Sequence, residues 1–121
     1  MISKFRPETE FYTDERCYIV EIHNREEEGC SIVRARVLPG VTTQFHLLLG
    51  TDERYVILEG EGLVQLGDAA PAPVRQLDVE VIAPGTTQRI ANVGTADLVS
   101  PCVCTPRFHS EAYVGLESDG S

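Results

Sequence analysis

Residues 44–62 read QFHLLLGTDERYVILEGEG, and the fold turns on how this stretch is laid out. Two runs rich in apolar residues, 44–49 and 53–58, flank the turn signal Gly50-Thr51-Asp52. Alternation along a strand puts Thr42, Gln44, His46 and Leu48 on one face and Phe45, Leu47 and Leu49 on the other. On the return, Glu53, Tyr55 and Ile57 share a face opposite Arg54, Val56 and Leu58. Folded as a hairpin, the stretch brings His46 and Glu53 together, an imidazole and a carboxylate that suit a metal or an acid–base pair. The opposite face of both strands stays apolar and needs cover of its own. A second subunit, the N-terminal arm or a further layer of the same chain supplies that cover. We favour a homodimer.

The same signals repeat outward from this stretch. Runs with strand character occupy 17–23, 31–37, 63–66, 79–83, 86–92 and 98–104, separated by Gly, Pro and charged turns every 8 to 12 residues. Long amphipathic helices and internal repeats are both missing. The pattern is that of an all-β sandwich or barrel, single domain. Pro101 inside the last long run implies an edge strand or a bulge, because proline has no N–H for a ladder. Residues 1–29 read as an N-terminal arm and first strand, 30–105 as the barrel, and 106–121 as a tail with one short helix and a disordered end.

The chain of 121 residues suits one domain, with 42% hydrophobic and 24% charged residues. Nineteen acidic residues against ten basic give a formal charge of −9, which disfavours nucleic acid or an anionic membrane as partner. Neither an apolar run long enough to span a bilayer nor a signal-peptide core is visible, so a cytoplasmic location is expected. Cys17, Cys30, Cys102 and Cys104 include no CxxC pair, and read as free thiols that pack as small apolar side chains.

Motif spacing carries more. Five residues separate Gly40 from His46; Glu53 follows seven residues on, and Gly60 seven after that. Further along, LDVEVIAPGTTQRIAN (77–92) places Gly85, Gln88 and Asn92 at set intervals. Together these resemble the two motifs of the cupin superfamily, over roughly residues 30–105. The ending CVCTPRF (102–108) also resembles a group of small bacterial single-domain cupins. The resemblance implies a double-stranded β-helix, a jelly-roll cupin barrel, with a central pocket for a small-molecule ligand.

It also implies a metal site of two His, one Glu and a third His. His46 matches the first His and Glu53 the carboxylate, but Leu48 replaces the second His and Gln88 the third. Leu77 replaces the opening Gly of the second motif and Ala83 its Pro. His46, Glu53 and Gln88 are therefore the candidate metal ligands, for a divalent zinc, iron, manganese or nickel ion. Tyr55 joins His46 and Glu53 as a catalytic candidate, and Gln44 and Asn92 as pocket residues. Cys102 and Cys104 share a strand face, and a thiolate there compensates for the missing ligands if that face is inward. Arg34 and Arg36 form either a solvated outer face, which we favour, or an inward anion clamp. A metal-dependent enzyme on a small acid or sugar, a metal-free binding module and a structural dimer all fit this frame.

Overall fold

The computed structural model describes residues 1–27 and 29–117. Glu28 of the charged 25–28 loop and the expected disordered end at 118–121 lie outside the described residues. Eleven strands are present among the described residues: β1 (Phe11–Tyr12), β2 (Tyr18–Asn24), β3 (Ser31–Val37), β4 (His46–Leu48), β5 (Asp52–Val56), β6 (Gly62–Leu66), β7 (Ala72–Val74), β8 (Val79–Ile82), β9 (Gln88–Asn92), β10 (Leu98–Thr105) and β11 (Tyr113–Gly115). They form a six-stranded sheet, β1-β2-β3-β10-β5-β8, and a five-stranded sheet, β11-β4-β9-β6-β7. From β3 onward the chain alternates between the sheets, apart from the β6–β7 hairpin. This winding is the double-stranded β-helix that the motif spacing implied.

The opening stretch is therefore an arch and not a hairpin. β4 pairs with β9 and β11, whereas β5 pairs with β10 and β8. The Gly50-Thr51-Asp52 turn carries the chain from one sheet to the other, so His46 and Glu53 belong to opposite walls. The five apolar residues expected on one outer face are divided in the same way. Phe45 lies under the Arg89 guanidinium, 5.1 Å from its carbon, while Leu49 and Leu58 are exposed.

Burial follows the pleat. Leu98, Ser100, Cys102 and Cys104 of β10 are buried and alternate with partly exposed neighbours; Ser31, Ala35 and Val37 of β3, and Glu80 and Ile82 of β8, do the same. One apolar cluster gathers Cys17, Val37, Ile57 and Leu98. A second gathers Leu48, Cys102 and Cys104 against Val33, Tyr55, Phe108 and Tyr113.

Of the two expectations for Pro101, the edge strand does not hold and the irregular ladder does. Pro101 sits in β10, a central strand between β3 and β5. The Val99 carbonyl accepts from Leu58 N–H, Val99 and Glu59 exchange bonds, and Pro101, two residues on, directs its nitrogen to that same side. There the β5 ladder stops at Tyr55–Cys102 and resumes only at Glu59–Val99. The missing N–H falls in that gap.

The chain outside 30–105 is part of the fabric. β2 pairs along β3, and β11 pairs with β4 from within the tail. The tail's helical element is a single 3-10 turn, Ser110–Ala112. Arg34 and Arg36 point outward but are not simply solvated. Glu10 of the arm bridges them, with Oε2 2.6 Å from Arg34 Nη2 and 3.0 Å from Arg36 Nε, and Asp97 takes Arg36 Nη1 at 3.0 Å. Phe5 and Tyr18 stack on the two guanidinium groups. The anion that this pair clamps is the protein's own arm.

Candidate functional site

The two walls aim a dense polar set into the barrel. β4 supplies His46, β5 supplies Glu53 and Tyr55, β8 supplies Glu80, β9 supplies Gln88, and all but Tyr55 are buried. Alternation explains each placement, since their strand neighbours Leu47, Arg54, Val81 and Arg89 face away. The arm adds Glu15, held where Gln44 N–H donates to its carbonyl at 3.0 Å.

His46 is fixed at one ring nitrogen and one ring face. Its Nδ1 donates to the Gln44 carbonyl at 2.7 Å, since a carbonyl can only accept. The Tyr113 ring stacks on it at 5.1 Å between centroids. That leaves Nε2 facing the barrel, 3.7 Å from Glu15 Oε2. Tyr113 is itself held by its hydroxyl, which donates to Gln44 Oε1 at 2.6 Å.

Glu53 has a different set of partners. Gln88 donates its amide to Oε1, and the Cys102 thiol lies 3.5 Å from Oε2. Cys104 Sγ is 4.0 Å from Cys102 Sγ. The face of β10 that holds both cysteines is inward, which leaves them buried beside a carboxylate.

These groups wall two cavities. The smaller, about 20 Å³ in volume, is lined by His46, Gln88, Glu80, Tyr55 and Glu15 among others; it has room for about one water molecule. The larger, about 140 Å³, is lined by Glu53, Cys102, Cys104, Leu48, Val33 and Phe108, with Glu15 and Tyr55 shared by both. Its side chains include Glu15, Glu21 and Glu53 but no Lys or Arg.

Crowded carboxylates shift their neighbours. Burial, helped by the charge of Glu53, pushes the Glu80 carboxyl up to about 7. Burial also raises Glu15, which His46 opposes and Glu53 reinforces. The Tyr55 phenol is driven well above its ordinary range by burial and then by Cys102 and Glu53, so it stays a neutral donor. Burial, with the Glu15 charge adding, takes the Cys17 thiol up to about 12.

The expected metal set can be judged on this geometry. Gln88 turns an N–H toward Glu53, which satisfies a carboxylate but offers a cation nothing. Leu48 packs in the apolar cluster where a second imidazole would stand. His46 Nε2 faces the arm's Glu15. As arranged, these residues do not fit a three-His, one-Glu metal. Gln44 and Asn92 line neither interior cavity. Asn92 instead ties down its own loop, donating to the Val37 and Ala96 carbonyls at 2.9 Å and accepting from Gly94 N.

Sequence reasoning missed Glu15, Glu80 and Tyr113. Glu80 had a signal, because it alternates with Val79 and Val81 on a strand whose next inward residue is Ile82. Glu15 and Tyr113 come from the arm and the tail, where nothing local announces the fold-back.

No helix among the described residues is long and apolar enough to cross a membrane. No protein-family model matches the chain. It is 35% identical over 87 residues to the uncharacterized protein MJ1618 of Methanocaldococcus jannaschii, covering 72% of this chain and 69% of that one. Among solved structures it resembles an uncharacterized conserved protein with a double-stranded β-helix domain from Klebsiella pneumoniae, at a TM-score of 0.76, 14% identity and coverage of 92% and 93%. It also resembles Pac13, a nucleoside dehydratase, at a TM-score of 0.76, 15% identity and coverage of 94% and 90%. With its strands alternating between two sheets as in these structures, the chain has the double-stranded β-helix fold and belongs to one family with the M. jannaschii protein.

Proposed function

We propose that the barrel binds a small uncharged or cationic molecule, about the size of a six-membered ring, and moves a proton on it. The observation that carries this reading is the meeting of Glu15 with His46. Nδ1 of His46 is spent on a carbonyl, so Nε2 is the ring nitrogen free to take or give a proton, and it faces at 3.7 Å the carboxyl of Glu15, which lines both cavities. Glu80, near neutrality, provides a second proton-handling group across the small cavity. The 140 Å³ volume is close to that of a cavity known to accept benzene. Its acidic lining, with no Lys or Arg, disfavours an anion there, and Arg34 and Arg36, which would have received one, point outward. An acidic substrate is thereby set aside in favour of a neutral or positively charged one. Isomerisation or elimination suits such a pair. Tyr55 donates a hydrogen bond to the bound molecule in this reading.

The test is a carbon-acid probe. In heavy water, cyclohexanone should gain deuterium beside its carbonyl faster with the protein than without it. His46→Gln should remove most of the gain. Exchange no faster than in buffer, or equally fast with His46→Gln, would refute the proton-transfer reading.

A homodimer belongs to the same proposal. Val79 and Val81 are 54% and 56% exposed on the outward face of the edge strand β8, with Leu58 nearby in sequence to β5 at 41%. A partner of the same chain would cover this apolar edge. Sedimentation should give twice the chain mass, and Val81→Lys should give the monomer.

A further inference from the structure

We propose that Glu53, Cys102 and Cys104 form a site for a thiophilic divalent cation, zinc above all, built without a histidine. The ligand atoms of these three buried residues lie within 4.8 Å of one another. Two of the three separations already have the size a tetrahedral ion needs. Sulfur ligands at about 2.3 Å and a carboxylate oxygen at about 2.1 Å, spread at the tetrahedral angle, stand about 3.8 Å apart for S–S and about 3.6 Å for S–O. The structure has 4.0 Å between Cys102 Sγ and Cys104 Sγ, and 3.5 Å between Cys102 Sγ and Glu53 Oε2. Small side-chain rotations bring all three onto one centre.

The surroundings fit the same reading. Successive inward positions of β10 hold the two sulfurs on one rigid strand, with Glu53 on the neighbouring strand directly opposite Cys104 in register. Gln88 holds the other oxygen of Glu53 and so fixes which oxygen is left for a cation. Two thiolates and a carboxylate select zinc over magnesium or calcium. Three protein ligands leave one tetrahedral position, and all three side chains line the 140 Å³ cavity, so a bound molecule there would meet the ion. Binding would release the thiol protons to solvent.

The inference rests on the larger cavity described under the proposed function but not on the His46–Glu15 pair, so the two fail separately. The probe is cobalt(II), added to the full chain with a non-chelating reductant. One equivalent should give a thiolate-to-cobalt charge-transfer band in the near ultraviolet with tetrahedral bands in the visible. Cys102→Ser and Cys104→Ser should abolish the band, whereas Cys17→Ser and Cys30→Ser should keep it. Gln88→Leu should weaken cobalt affinity about 10- to 100-fold. Absence of the band, its survival in Cys104→Ser, or its loss only in His46→Gln would overturn the site. Should the buried serine variants fail to fold, X-ray absorption of the zinc-loaded wild type decides: about two sulfur neighbours near 2.3 Å support the site, and a shell of nitrogen and oxygen alone overturns it.

Discussion

Gln88 donates its side-chain amide to Glu53 across the barrel interior, joining the five-stranded sheet to the six-stranded one. A buried carboxylate that loses a donor pays the full desolvation of the freed oxygen. Gln88→Leu, similar in volume, should therefore cost about 2–3 kcal/mol in urea unfolding. A loss under about 0.5 kcal/mol would show that this bond does not hold the walls together.

Glu80 makes stability depend on pH in a direction opposite to most carboxylates. Its folded value of about 7 stands above the ordinary 4.5. Below 4.5 it is neutral in both states. As pH rises toward 7 the unfolded chain gives up the proton and the folded chain keeps it, so stability falls, and above 7 the deficit is constant at about 3 kcal/mol. Glu80→Gln should match the wild type near pH 4 and exceed it by about 3 kcal/mol at pH 8. Parallel stability curves for the two proteins would contradict the assignment.

Leu77 holds the place of a motif glycine and adopts the glycine conformation, with φ of +71° and its side chain 72% exposed. Leu77→Gly should relieve about 1 kcal/mol and raise Tm by about 4 °C, since little burial is lost. The reverse holds at Gly60, where φ is +88° and an added Cβ would stand 2.7 Å from the Asp97 carbonyl oxygen. Gly60→Ala should destabilise by about 2 kcal/mol or more.

The arm that carries Glu15 is moored by Glu10. The Arg36 guanidinium, then Arg34, hold the Glu10 carboxyl below its usual range, so the mooring is present at neutral pH and weakens as pH falls through that lowered value. Glu10→Gln should cost about 2 kcal/mol and speed amide exchange at Thr13–Cys17. Unchanged exchange would mean the arm is held elsewhere.

The strands, their inward faces and the glycine frame were legible because alternation and turn residues are local properties. Pairing was not. The same Gly50-Thr51-Asp52 signal serves a hairpin or an arch, and only partners far along the chain, β9 and β10, decide between them. Gln44 was extrapolated inward by counting back from His46, but β4 begins at His46, so alternation does not reach that residue. Asn92 was read from its motif interval, and its amide goes to loop carbonyls. His46 and Gln88 stand side by side in one sheet and Glu53 faces them from the other, an arrangement the hairpin reading did not contain. The partner that changes the reading of His46 is Glu15, and it arrives from an arm that Glu10 ties to Arg36, not from any periodicity.

The most direct measurement is a methyl-resolved NMR titration of the metal-free protein with three fragments of one shape and different charge: cyclohexanone, piperidinium and cyclohexanecarboxylate. The account predicts that the neutral and cationic fragments shift the methyl signals of Ile19, Val33 and Leu48, which line the 140 Å³ cavity, and that the carboxylate does not. Shifts caused by the carboxylate, or by none of the three at millimolar concentration, would contradict it.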